Sequence, residues 1–101
     1  MAELPTQQEF AKHLGTKFQV QVAPEQTIDI ELIEVSDLKQ SARQEQFGIL
    51  FRGPNEYFLG QGIRRLGHED FGPADIFLVP IRQDNAGFYY EAVFNRIREQ
   101  A

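Results

Sequence analysis

The sequence predicts a mainly-β domain: a small antiparallel barrel or sandwich of about six strands with a short N-terminal helix. Three observations carry this. Apolar residues recur at every second position in separate stretches, as in Phe18, Val20 and Val22, or Phe47, Ile49 and Phe51. Two strong turn sequences, Gly53-Pro54-Asn55-Glu56 and Asp84-Asn85-Ala86-Gly87, separate such stretches. Helical periodicity is confined to the residues before Gly15. A length of 101 residues suits one domain spanning 1–101, with a helix at 6–14 and an antiparallel β meander over 16–97.

The helix starts at a capping box. Thr6 is the N-cap and Glu9 stands three residues on, where its carboxylate reaches back to the Thr6 amide. Leu4 before the cap is placed to staple onto Phe10. Phe10 and Leu14 lie four apart on one face, and Gly15 supplies the stop. This helix is expected to lid one end of the core.

A first strand follows, with Phe18, Val20 and Val22 inward and Lys17, Gln19 and Gln21 wet. After a turn at 23–26, Ile28, Ile30 and Leu32 alternate in a second strand. The phase slips there, because Ile33 and Val35 are apolar too, which predicts a β-bulge at Leu32–Ile33 or burial on both faces. Residues 36–46 are polar and aperiodic, and read as an exposed loop with a helical turn. Phe47, Ile49 and Phe51 open a third strand.

The Gly53–Glu56 turn predicts a hairpin in which Tyr57 to Leu66 returns along that third strand. Its register sets Ile49 opposite Gly60, Phe47 opposite Gly62 and Leu50 opposite Leu59, with Arg52 beside Tyr57 as a cation–π pair. Overpacking is then expected from a side chain at Gly60 or Gly62. Residues 67–73 form a loop. Ala74 to Ile81 is a strand whose continuous apolar stretch, Ile76 to Ile81, reads as burial on both faces, with Pro80 at an edge or bulge. The second hairpin pairs Arg82 with Tyr89, Ile81 with Tyr90, Val79 with Ala92 and Phe77 with Phe94. Its two faces group Ile76, Leu78 and Val93 against Phe77, Val79 and Phe94. Residues 98–101 read as a fraying polar tail.

Composition narrows the chemistry. Ten Lys+Arg against fifteen Asp+Glu leave a net charge of −5, against a duplex nucleic-acid footprint. There is no cysteine, which excludes disulfides, zinc-thiolate sites and thiol nucleophiles. No export signal or membrane span is expected, and the setting is read as cytoplasmic. Gly60-Gln61-Gly62 begins a dinucleotide-binding fingerprint but has Arg65 where that motif needs a small residue. His68-Glu69-Asp70 clusters three metal-ligand types, yet consecutive side chains rarely converge on one ion, so a solvated loop is expected. His13 is read as a cap near the helix C-terminus. Asp29, Glu31 and Glu34 are read as the wet face of a strand, not a catalytic pair. No catalytic residue, metal ligand or cofactor is assigned.

What remains is an interaction surface. All six basic residues of the second half are Arg, and Arg and Tyr are enriched at interfaces. The candidates are Arg52, Tyr57, Arg65, Arg82 and Tyr89 at strand ends, with Leu78 and Val93 on a face assigned outward. The residues support a non-enzymatic structural or adaptor module that binds protein and forms a homo-oligomer. A small barrel binding a ligand in its mouth, or serving as an enzyme accessory domain, is the alternative.

A family resemblance covers nearly the whole chain. It rests on Phe10 with His13-Leu14-Gly15, Leu32 with Glu34-Val35, Phe47-Gly48-Ile49-Leu50-Phe51-Arg52-Gly53-Pro54, Leu59 with Gln61-Gly62, Arg65-Leu66 with His68, Phe77-Leu78-Val79-Pro80, and above all Tyr90-Glu91-Ala92-Val93-Phe94-Asn95-Arg96. These resemble a bacterial domain family of unknown function encoded beside phage tail-collar-like (microcystin-dependent-type) proteins. The resemblance implies a role in a tail-like assembly or its maturation, with a tail-collar-like protein as partner. It implies no substrate and no catalytic residue.

Overall fold

A computed structural model describes residues 6–97. The Leu4 staple and the 98–101 tail lie outside the described residues. The capping box forms as the sequence requires: the Glu9 amide donates to Thr6 Oγ1 at 3.2 Å, and the Thr6 amide donates to Glu9 Oε1 at 2.9 Å. Helix α1 (Gln7–Lys12) nevertheless stops two residues before the expected end. His13 closes it, and Gly15, at φ +85, turns the chain so that its amide meets the Leu32 carbonyl at 2.7 Å. Leu14 is therefore left half-exposed instead of packing beneath Phe10. Phe10 alone plugs the barrel, with ring centroids 5.5–6.3 Å from Phe18, Phe47, Phe71 and Phe94. Burying one such side chain contributes roughly 1.5–3 kcal/mol.

Seven strands follow: β1 (Lys17–Ala23), β2 (Gln26–Val35), β3 (Lys39–Gln40), β4 (Gln44–Gly53), β5 (Gly62–Gly67), β6 (Ala74–Asp84) and β7 (Gly87–Ile97). They pair in the order β2-β1-β5-β6-β7-β4-β3, and β2 also pairs with β4. That additional pairing closes six strands into an antiparallel barrel, with β3 as an extra strand on β4. The bulge expected in the second strand is present. Leu32 faces Phe51 and Glu34 faces Leu50, so Ile33 is the surplus residue. Residues 36–46 hold no helical turn. Instead β3 continues the line of β2 along β4 after a break, where the Gly48 amide donates to Ser36 Oγ and the Ser36 amide to the Gly48 carbonyl, both at 2.8 Å.

The first expected hairpin does not form. Its turn is real, with the Tyr57 amide 3.4 Å from the Pro54 carbonyl. The chain then crosses the open end of the barrel instead of returning along β4. Leu59 seals that end, its amide donating to the buried Tyr90 hydroxyl at 2.9 Å. Strand β4 pairs instead with β2 and with β7, setting Phe47 opposite Phe94, Ile49 opposite Ala92 and Phe51 opposite Tyr90. This buries aromatic against aromatic, more apolar area than Gly60 and Gly62 offer. The Arg52–Tyr57 and Leu50–Leu59 pairs are replaced accordingly: Arg52 binds Glu31, and Leu50 lies between Glu34 and Glu91. Overpacking at the two glycines is also overturned. A Cβ on Gly62 would meet nothing within 4 Å, and one on Gly60 only Arg64 Nη2 at 3.7 Å.

The second hairpin forms but slips. Arg82 faces Tyr89 as expected, then Pro80 faces Tyr90 and Val79 faces Glu91, which leaves Ile81 as a bulge. Pro80 has no N–H to give the ladder, so the interruption falls beside it. The slip of one residue turns the face assignment over. Leu78 is fully buried and Phe94 is buried, while Phe77 and Val93 face out, 49% and 52% exposed. Leu78 is thus a core residue and not an interaction residue, and β6 is buried on one face only. Among the described residues no helix is long and apolar enough to cross a membrane.

Candidate functional site

Strand β6 changes partner partway along. From Ala74 to Leu78 it pairs with β5, and from Val79 onward with β7. Strand β7 meanwhile keeps to β4 along its whole length. Beyond Val79–Glu91, then, no ladder joins β6 to β7 among the described residues. A depression of about 330 Å³ opens at this seam, lined by Ile76, Phe77, Ala92, Val93, Phe94 and Asn95, with Ile63 and Asp75 on its β5 side. Its rim is apolar: Ile63 is 71% exposed and directly opposite Phe77. On the far side of Val93 lies a second depression of about 340 Å³ over Gly48 and Leu50, edged by Glu34, Glu91 and Arg82.

Below the seam the outer face carries a row of polar cross-strand pairs. Lys17 faces Glu31, Glu31 faces Arg52, Arg52 faces Tyr89 and Tyr89 faces Arg82. The Arg82 guanidinium lies 4.1 Å over the Tyr89 ring, and Arg52 Nη2 reaches Glu31 Oε1 at 3.1 Å. The Tyr89 hydroxyl donates to the Asp84 carboxylate at 2.9 and 3.1 Å. That bond, with the Ala86 amide behind it, holds the Asp84 carboxyl below its ordinary pKa. Tyr89 is consequently buried although it stands on the outer face.

The sequence candidates thus separate. Arg52, Arg82 and Tyr89 share the polar row. Val93 stands on the rim of the seam, and Arg65 lies beside it through Asp75, at 3.3 Å. Tyr57 sits on the chain segment that closes the opposite end, and Leu78 is in the core. Ile63 and Phe77 were not among the candidates. A signal existed for Ile63: it is three residues from Leu66 in one strand, so the two cannot share a face.

A separate cluster joins α1 to the 68–73 loop. One ligand atom each from His13, His68 and Asp70 lies within 4.8 Å of the others. Each ring nitrogen already has a partner. His13 Nδ1 is 2.8 Å from the Glu9 carbonyl and Nε2 is 2.9 Å from Asp70 Oδ2. Both partners are acceptors, so the arrangement favours the protonated ring, whose two nitrogens both donate. On His68, Nδ1 accepts from the Asp70 amide at 3.0 Å and Nε2 donates to Thr16 Oγ1 at 3.0 Å, while that hydroxyl donates to the His13 carbonyl at 2.6 Å. With His13 protonated, both of its nitrogens donate, and the Nδ1 lone pair of His68 is taken by the Asp70 amide. The cluster is a polar latch, packed against Phe10, Phe18 and Phe71 by their contacts with one another and with the histidines.

The latch makes stability pH-dependent. The hydrogen bond to the Glu9 carbonyl is the largest influence on His13; burial opposes it, and the hydrogen bond and charge of Asp70 add to it, so the pKa is raised above its ordinary value of 6.5. A folded pKa raised above the unfolded one gives stability that is complete below the unfolded pKa and lost as pH rises through the folded one. The stability difference between wild type and His13→Gln is therefore expected to be larger at pH 6 than at pH 9. Urea midpoints for both proteins at the two values test this, and an equal difference rejects the charged latch.

The model of a family described as Domain of unknown function (DUF6916) matches residues 5–94. No curated protein and no solved structure matches the chain.

Proposed function

We propose, for a chain that belongs to the DUF6916 family, a non-enzymatic structural or adaptor role exercised by binding protein partners at the outer face of β5, β6 and β7. One observation carries it: Ile63, Phe77 and Val93 are exposed side by side along an open seam. Scattered exposed apolar residues are ordinary, but an adjoining group at a gap in a sheet is what interfaces use. The polar row supports this face without competing for a partner, because Arg52, Arg82 and Tyr89 bind within the chain. The barrel interior is occupied by Phe10, Phe18, Phe51 and Tyr90, which disfavours the alternative of a ligand in its mouth. The latch histidines, with every ring nitrogen engaged, likewise disfavour a catalytic reading.

The phage-tail-like assembly and the tail-collar-like partner follow from the family resemblance, and a cytoplasmic location is part of the same proposal. Self-association belongs to the proposal too, through the depression over Gly48 and Leu50 on the far side of Val93, which leaves the seam to a different protein. Wild type is expected to associate across the micromolar range by light scattering, and Val93→Glu to stay folded and monomeric. Val93→Glu is also expected to lose the protein that wild type retains in a pull-down from the producing organism. A monomeric wild type whose retained proteins match those of Val93→Glu removes this reading.

A further inference from the structure

We propose that the open β6–β7 seam takes an extended segment of a different protein as an added strand, apolar at its centre and basic at its ends. This rests on the reading of the outer face as a protein-binding surface and specifies how the partner engages. The backbone comes first. Along 75–77 and 92–95 the two strands pair on their far sides, with β5 and β4, and not with each other. Among the described residues, alternate N–H and C=O groups on the facing edges therefore have no ladder partner, the condition under which a sheet edge templates another strand.

The side chains match a strand as well. The depression is lined by outward Phe77 and Val93 and by inward Ile76, Ala92 and Phe94. An added strand sends successive side chains to opposite faces, and here both faces meet apolar neighbours.

Charge selects the ends. Asp75 is exposed at the open end of the seam, and Glu91 lies on the same outer face where the ladder with β6 begins. The Arg65 contact to Asp75, 3.3 Å between exposed groups, is of a kind worth little and easily exchanged. Basic residues flanking an apolar centre would meet both carboxylates, on a chain of net charge −5. A second copy would bring like charges together at this seam, so the occupant is assigned to a different, basic protein segment.

The test uses the full chain, isotopically labelled, and three synthetic peptides. Acetyl-Lys-Val-Ile-Val-Lys-amide is expected to give saturable amide shifts and slowed hydrogen exchange at 75–77 and 92–95. The same peptide with Glu at both ends is expected to bind about tenfold more weakly, the worth of two exposed ion pairs. With Pro at the centre it cannot complete a strand and is expected not to bind. The proposal is overturned if the first peptide gives no saturable shift at millimolar concentration, if the proline peptide binds equally, or if the shifts fall elsewhere. It is also overturned if protection at 75–77 and 92–95 grows with protein concentration alone, since the occupant is then another copy. Loss of peptide binding with a Val93-sensitive partner still captured sinks strand addition and leaves the adaptor reading standing; failure of both sinks both.

Discussion

Gly87→Val is expected to destabilise the domain by about 2–4 kcal/mol, the combined scale of a strained φ and overpacking. Gly87 has φ +151, where side chains are strained, and a Cβ there would overlap the Gly53 carbonyl oxygen. It would also stand 3.1 Å from Arg52 Cγ and 3.3 Å from the Gly53 carbonyl carbon. Two of these neighbours are backbone atoms held in the β4–β7 ladder, where Gly53 faces Phe88. Relief therefore requires the hairpin end to move away from β4, not a rotamer change. For a chain this size the loss corresponds to a melting shift of roughly 10–25 °C. Gly67→Ala is the matched control, since its Cβ would meet nothing within 4 Å. Equal urea midpoints for Gly87→Val and wild type would show that the two hairpin ends are not in contact.

Leu78→Glu is expected to prevent stable folding. Leu78 is fully buried, so the change removes an apolar side chain and places a carboxyl in the core without a partner. Together these cost on the order of 4 kcal/mol or more, a large share of the ~5–15 kcal/mol that keeps a domain folded. Val93→Glu alters a half-exposed position and is expected to leave circular dichroism and melting nearly unchanged. The pair distinguishes two registers. Without the Ile81 bulge both residues would lie on one face and the two variants would behave alike. A folded, cooperative Leu78→Glu would mean that the bulge is misplaced.

Much of this fold is written in local pattern. Thr6 and Glu9 form their capping box because both partners lie within one helical turn. Phe18, Val20, Ile30 and Leu32 point inward because alternation leaves each strand one apolar face. The Ile33 bulge is legible because a phase slip in an otherwise alternating strand has few other solutions. Arg82 meets Tyr89 because a short turn fixes the register of the first pairs beyond it.

What is not legible involves a choice among distant partners. The Gly53–Glu56 turn suits a hairpin, but β4 gains more by packing Phe47 and Phe51 against Phe94 and Tyr90 than against the 57–62 segment. Local turn chemistry cannot weigh that burial. The slip at Ile81 depends on Pro80 meeting a strand whose other edge is held by β4, and it decides whether Leu78 or Phe77 faces solvent. The seam has the same origin: β6 leaves β7 to close the barrel through β5, and no single segment encodes that exchange. His13 and Asp70, 57 positions apart, become a latch only because α1 and the 68–73 loop cap the same end of the barrel. Sequence alone therefore determined the fold class, most strand positions, the helix start and the Arg82–Tyr89 pair beside one turn, all set by interactions within a turn or between adjacent strands. Tertiary structure decided the partners of β4, the buried face of β6 and the place of the open seam, because barrel closure ranks competing pairings by the total apolar area they bury.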